Sequence, residues 1–162
     1  SHGPAYYRRY PDNFRKFTPT CDTNEIQDCD HQALMNTYDN TILYTDSMVS
    51  KTIDTLKARQ GSMNTALIYL SDHGESLGEN GVYLHGLPWS IAPETQKHVP
   101  MLLWLSEDYQ QRYQVSQTCL QKRASSEDFS QDNLFSTLLG LTGVQTQKYQ
   151  AADDILQPCR GG

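Results

Sequence analysis

Two short runs of largely consecutive apolar residues, 64–70 and 99–105, interrupt a chain whose other apolar positions recur at helical spacing. A run apolar on successive residues suits a strand covered on both faces, as in a parallel sheet. Between Asp30 and Gly61, the residues Leu34, Tyr38, Ile42, Val49, Ile53 and Leu56 fall on one helical face. Asp30 reads as the N-cap of that helix, Lys57 and Arg59 as its basic C-terminal end and Gly61 as its stop. A second helix is expected over Leu134, Phe135, Leu138 and Leu139, capped by Ser130 and ended by Gly140 or Gly143. Residues 1–30, punctuated by Pro4, Pro11 and Pro19, read as loop, as do residues 74–98. Strands alternating with helices predict an α/β sheet.

Composition narrows the class of protein. Hydrophobic residues make up 37% of the 162 positions and aromatic residues 10%, enough with these runs to argue against disorder. No apolar stretch approaches the roughly 18 residues that a membrane helix needs. The formal net charge of −6 argues against a general nucleic-acid binder, which carries a basic face. Charge is uneven, however. Residues 1–20 hold Arg8, Arg9, Arg15 and Lys16 against Asp12 alone, among the aromatic side chains of Tyr6, Tyr7, Tyr10, Phe14 and Phe17. Such a segment can meet anionic phosphate groups or a charged membrane surface, or form a solvated basic loop.

Four cysteines permit three pairings. Cys21 and Cys29 flank a polar segment rich in turn formers, and a bridge there would staple it with about 2–3 kcal/mol on the chain-entropy view. Free thiols or zinc ligands are the alternative, although zinc prefers tighter spacing and more Cys or His nearby than His31 alone. Cys119 and Cys159 are left open. A bridge would imply an oxidising compartment.

The segment from Leu70 to Asn80 concentrates the candidate chemistry. Asp72 and His73 follow the first apolar run, just beyond a strand's carboxyl end, where α/β sheets place their ligands. Carboxylate oxygen with imidazole nitrogen suits zinc, and Gly74 and Gly78 let the backbone pass close to a ligand. A plain Asp-His hydrogen bond in a loop is the alternative. His85, in a loop bounded by Gly86 and Pro88, and His2, beside Gly3 and Pro4, could reach the same pocket as ligand, acid or base, or simply be exposed. Glu75 and Glu79 add carboxylates, while His31 and His98 read as structural. Two protein ligands do not complete a zinc site, and nothing marks Ser71 or Ser76 as an activated nucleophile. The residues look like part of an active site.

The stretch Ser71-Asp72-His73-Gly74-Glu75-Ser76-Leu77-Gly78-Glu79-Asn80-Gly81, followed by Leu84-His85-Gly86-Leu87-Pro88, resembles the phosphoethanolamine–lipid A transferases, in particular the mobile colistin-resistance group. Further matches are Ser1-His2-Gly3-Pro4 with Tyr6-Tyr7, residues 14–22 and residues 132–143, so the resemblance covers the whole chain.

The resemblance implies an α/β fold of the alkaline phosphatase and sulfatase type, a sandwich around a mostly parallel central sheet, of which residues 1–162 would be the C-terminal portion. It implies zinc, one ion or two, held by residues matching Asp72 and His73. His2 and His85 would line the site and hold a second zinc or the phosphoethanolamine group, Glu75 would be a pocket carboxylate, and Cys21 and Cys29 would be disulfide-bonded. The implied reaction moves phosphoethanolamine from phosphatidylethanolamine to a lipid A phosphate on the periplasmic face of the Gram-negative inner membrane, giving polymyxin resistance. The family's membrane helices, nucleophilic threonine and glutamate ligand lie upstream of the matched segment, and the chain begins without an initiator methionine or leader. The 162 residues alone are therefore expected to be inactive. A phosphatase, phosphodiesterase or sulfatase of the same fold, and a non-catalytic disulfide-stapled binding module, are the competing readings.

Overall fold

In a computed structural model, which describes residues 2–161, the long amphipathic segment forms helix α1, His31–Lys57, of 27 residues. The first apolar run gives strand β1, Ala66–Leu70, and the second gives β4, Met101–Leu105. Between them lie a two-residue hairpin, β2 (Ser76–Leu77) with β3 (Tyr83–Leu84), and a single helical turn, α2 (Glu94–Lys97). Three helices follow: α3 (Glu107–Arg112), α4 (Gln117–Ser126) and α5 (Asp132–Thr142). Residues 1–30, read as loop, contain three short 3-10 turns, at Tyr6–Arg8, Asp12–Phe14 and Ile26–Asp28.

The strand pairing refines the sheet expected from the apolar runs. β1 and β4 are hydrogen-bonded neighbours. The Ser71 N–H donates to the Pro100 carbonyl at 3.3 Å, and the Ser106 N–H donates to the Thr65 carbonyl at 2.9 Å. The end of each strand thus meets the beginning of the other, so these two run antiparallel. The expected burial on both faces is only partial in these residues: β1 is half-buried throughout and Leu102 of β4 is exposed. Nor does an apolar run carry information on direction, since that is set by the connection.

The chain divides into two compact units. One contains residues up to Asp54 together with Ile68–Leu103. Its core packs Tyr6, Cys21, Ile26, Ala33, Leu34 and Leu77, with Tyr38, Tyr83 and Leu84 partly buried around them. Asp30 caps α1 as expected, its Oδ1 accepting from the Ala33 N–H at 3.2 Å. The buried face of the first half of α1 differs from the apolar stripe. Asn36, Thr37, Asn40 and Thr41 are buried there, while Ile42 is 45% exposed. Three of them, Asn36, Thr37 and Asn40, serve the backbone of the preceding irregular segment, while Thr41 donates to the Tyr38 carbonyl of its own helix. Asn40 Oδ1 accepts from the N–H groups of Lys16 and Phe17 at 2.8 and 2.9 Å, and its Nδ2 donates to the Phe17 carbonyl. Thr37 Oγ1 accepts from the Cys21 N–H at 2.7 Å, and Asn36 donates to the Pro19 carbonyl. A loop laid on a helix must have its backbone groups paired, and an apolar helix face could not pair them. The Cys21–Cys29 disulfide closes this segment, with a sequence separation of 8.

Replacing Asn40 by alanine orphans two donors and one acceptor at a fully buried position, so a loss of about 2–4 kcal/mol is expected. Urea unfolding of Asn40→Ala checks this; a loss below about 0.5 kcal/mol, the range of a neutral surface change, would contradict it.

The second unit contains Thr55–Leu67 and residues from Trp104 on. Leu105, Tyr109, Val115, Ile155, Leu156 and Cys159 are buried in it. Ser106 caps α3 and Ser116 caps α4, each accepting a backbone N–H at 3.2 Å. The N-cap position of α5 falls to Gln131 rather than the expected Ser130, which instead closes the turn before the helix: its Oγ accepts from the Asp132 N–H, and its own N–H donates to Asn133 Oδ1. Gly143 ends that helix with φ 68°. Cys119 and Cys159, whose pairing the sequence leaves open, form a second disulfide.

Candidate metal centre

The site is built on the β2–β3 hairpin. Ser76 pairs with Leu84 and Leu77 with Tyr83. The residues just outside this ladder, Glu75 and His85, are therefore set opposite each other. Glu75 Oε1 accepts from His85 Nδ1 at 2.9 Å. The turn between the strands uses the left-handed region at Gly78, Asn80 and Gly81. Leu84 also sits there, with φ 63°, directly before His85. Backbone held in that region by a branched apolar residue is costly and persists only where the surroundings impose it.

His73 and Asp72 come from the turn that follows β1. Ser71 Oγ donates to the His73 carbonyl at 2.8 Å, and the His73 N–H donates to Asp72 Oδ1 at 3.1 Å. Gly74 lets this turn lie against α2: its N–H donates to the Gln96 carbonyl at 3.0 Å, and a Cβ there would be 1.9 Å from the Thr95 carbonyl oxygen. Gln96 reaches back to the hairpin, donating from Nε2 to Ser76 Oγ at 2.9 Å. His2 precedes Gly3, which packs against Leu84 of β3 and the Tyr6 ring.

These elements bring three imidazoles together. The His73 and His85 rings stack with centroids 3.9 Å apart, and the His2 ring meets His85 edge-on at 4.6 Å. One coordinating nitrogen from each of the three lies within 4.8 Å of the others. The Nδ1 atoms are all committed: His2 to the Gly3 carbonyl at 2.8 Å, His73 to the Gly74 carbonyl at 2.9 Å, and His85 to Glu75. The acceptors of His2 and His73 are carbonyls with no proton to give, so Nδ1 carries the hydrogen there, and a Glu75 carboxylate asks the same of His85. In a neutral ring so held, Nε2 keeps its lone pair for an electrophile. That is how metal-binding histidines are commonly held, with one nitrogen donating to a carbonyl or carboxylate and the other turned to the ion.

Asp72 lies beside this cluster. Its side chain is 90% exposed, with Oδ2 3.9 Å from His73 Nε2. Ligand atoms about 2.0 Å from a tetrahedral zinc stand roughly 3.3 Å apart, so a small movement would let both bind one ion. A hydrogen bond from its own backbone amide and the nearby His73 ring hold the Asp72 carboxyl below its ordinary range, which keeps it an anionic donor. The donor set present, imidazole nitrogens with a carboxylate oxygen, fits zinc.

Glu75 is the buried member, its side chain only 2% exposed. Besides His85 it accepts from the Tyr6 hydroxyl at 2.6 Å. Burial and the Glu75 carboxylate raise the Tyr6 phenol far above its ordinary value, so it remains a donor. Tyr6 is the residue that the sequence did not single out. Glu79 serves the hairpin turn instead, accepting from the Leu77 N–H at 2.8 Å. Two of the basic residues near the N-terminus differ in role. Arg15 is tied to Asp22 and Thr20, each at 2.7 Å, while Arg9 donates to the His2 carbonyl at 3.2 Å.

Comparisons with known proteins show what the chain is similar to. A family model described as Sulfatase matches residues 1–144. "Phosphoethanolamine transferase EptA" of Salmonella typhimurium (strain LT2) is 76% identical over 99% of this chain, which covers 29% of that protein. "Phosphatidylethanolamine transferase Mcr-2" of Escherichia coli is 45% identical over 97% of this chain and 27% of its own length. Among solved structures, the integral membrane protein lipooligosaccharide phosphoethanolamine transferase A (EptA) from Neisseria meningitidis superposes with a TM-score of 0.96 at 48% identity, over 100% of this chain and 30% of that one. The 162 residues thus span under a third of the length of these relatives.

Proposed function

Because the chain belongs to the sulfatase family, with phosphoethanolamine transferases among its relatives there, we propose that it forms part of a zinc-dependent transferase moving phosphoethanolamine from phosphatidylethanolamine to a lipid A phosphate. The observation that carries the metal reading is the convergence of three imidazoles whose Nδ1 atoms are already bound to oxygen acceptors.

In this reading Asp72 and His73 ligate zinc, and His2 and His85 face the phosphoryl group or a second ion. A bound zinc would supply Lewis-acid stabilisation of phosphoryl oxygens and activation of a hydroxyl nucleophile. The chain's own residues orient and hold protons. Glu75 fixes the direction of His85, so that its Nε2 presents a lone pair to the ion or accepts a hydrogen bond from a hydroxyl or ammonium group. Arg9, tied to the His2 carbonyl, places a cation on the same segment, suited to an anionic headgroup. The nucleophilic threonine, the remaining zinc ligand and the inner-membrane anchor are assigned to parts of the whole protein beyond these residues. No helix among the described residues is long and apolar enough to cross a membrane. Neutralising a lipid A phosphate with an amine-bearing group would weaken its attraction for cationic polymyxins, which is the proposed route to colistin resistance.

The test follows the headgroup. Full-length protein given labelled phosphatidylethanolamine and lipid A is expected to place the label on lipid A. Release of label to water alone would contradict the reading in favour of a phosphodiesterase, and no turnover by the metal-loaded protein would favour a binding module.

A further inference from the structure

Tyr6 has no place in the reading above, yet it is only 1% exposed and ends on the buried carboxylate that directs His85. Glu75 uses one oxygen for each neighbour: Oε2 takes the Tyr6 O–H at 2.6 Å and Oε1 takes the His85 Nδ1–H at 2.9 Å. A carboxylate held at one oxygen can still turn about its last bond, whereas one held at both cannot without breaking a buried hydrogen bond. The Tyr6 ring is itself fixed. It meets Tyr38 edge-on at 5.4 Å, and it packs in the core with Leu34 and Leu77. Its hydroxyl also lies against Gly3, where a Cβ would come within 2.5 Å of the oxygen. The residue next to His2 is thus shaped to the same phenol.

We propose that Tyr6 is a positioning residue of the site: through Glu75 it locks His85 in the Nδ1–H tautomer with Nε2 turned to the reacting group. This rests on the transferase reading for its consequence in turnover, but the tautomer itself is a property of the folded chain. Removing a partner that directly orients a functional histidine costs about 10–100-fold, and Tyr6 acts one bond further out. Tyr6→Phe is therefore expected to lower kcat about tenfold with little change in KM.

The test uses the full-length protein with nitrogen-15-labelled histidine, together with a double-mutant cycle of Tyr6→Phe and His85→Ala. In the wild type the His85 ring is expected to show a protonated Nδ1 and a bare Nε2. Tyr6→Phe is expected to mix in the other tautomer while leaving the fold intact by circular dichroism. In the His85→Ala background, Tyr6→Phe is expected to change kcat less than twofold. Equal losses in both backgrounds, or an Nε2–H tautomer in the wild type, would overturn the proposal; the second reading does not depend on the variant folding. Because the ring spectrum needs no turnover, a protein that fails to transfer phosphoethanolamine yet shows the Tyr6-dependent tautomer refutes the transferase reading and leaves this one standing.

Discussion

Gly74→Ala is expected to destabilise the protein by about 3 kcal/mol and to disable the site in the same step. The added methyl would lie 1.9 Å from the Thr95 carbonyl oxygen and 2.9 Å from its carbon. Both are backbone atoms, so no side chain can rotate out of the way. The turn must move from α2, and the hydrogen bond from the Gly74 N–H to Gln96 goes with it. Gly74 joins His73 to Glu75, so the shift separates the imidazole from the carboxylate that directs His85. Thermal unfolding and zinc content together check this. A variant with wild-type stability and full zinc content would show that the close approach at Gly74 does not shape the site.

His73→Ala is the second large effect. His73 stands next to each other candidate ligand: Asp72 Oδ2 is 3.9 Å from its Nε2, the His85 ring stacks on it at 3.9 Å, and the His2 ring centroid is 5.9 Å away. Losing an outer partner of a metal ligand costs about 10–100-fold, so losing the ligand itself is expected to cost more than about 100-fold in transfer. Its stability cost is expected to be small, below about 1 kcal/mol, because the ring is partly exposed and its backbone bonds remain. Transfer assays of the full-length protein beside urea unfolding separate the two. A transfer rate within threefold of wild type would contradict the ligand role.

Much of the candidate site is legible in the sequence because its chemistry is local. Asp72, His73 and Glu75 sit in one turn after an apolar run, and the glycine between His73 and Glu75 marks the close backbone approach that the structure shows at Thr95. The meeting of His2 with His85 is not legible from spacing, since 83 positions separate them. The family resemblance supplied that expectation, and the packing of Tyr6 and Gly3 against the hairpin accounts for it physically. Tyr6 itself was hidden among several aromatic residues, any of which could have been a core side chain. The polar inner face of α1 is illegible for a different reason. Hydrophobic periodicity cannot report a helix face whose task is to pair a loop's backbone, as Asn36, Thr37 and Asn40 do. Helices α3 and α4 are short and polar and show no apolar period; Ser106 and Ser116, both N-caps, are their signals in the sequence. The direction of β4 against β1 lay beyond any reading of apolar runs.

The most direct test of the metal reading is X-ray absorption at the zinc edge on the full-length, zinc-loaded protein, wild type beside His73→Ala. The expected wild-type spectrum contains imidazole nitrogen at about 2.0–2.1 Å, and that signal weakens or disappears in the variant. An all-oxygen shell in the wild type, or a spectrum unchanged by His73→Ala, would contradict it.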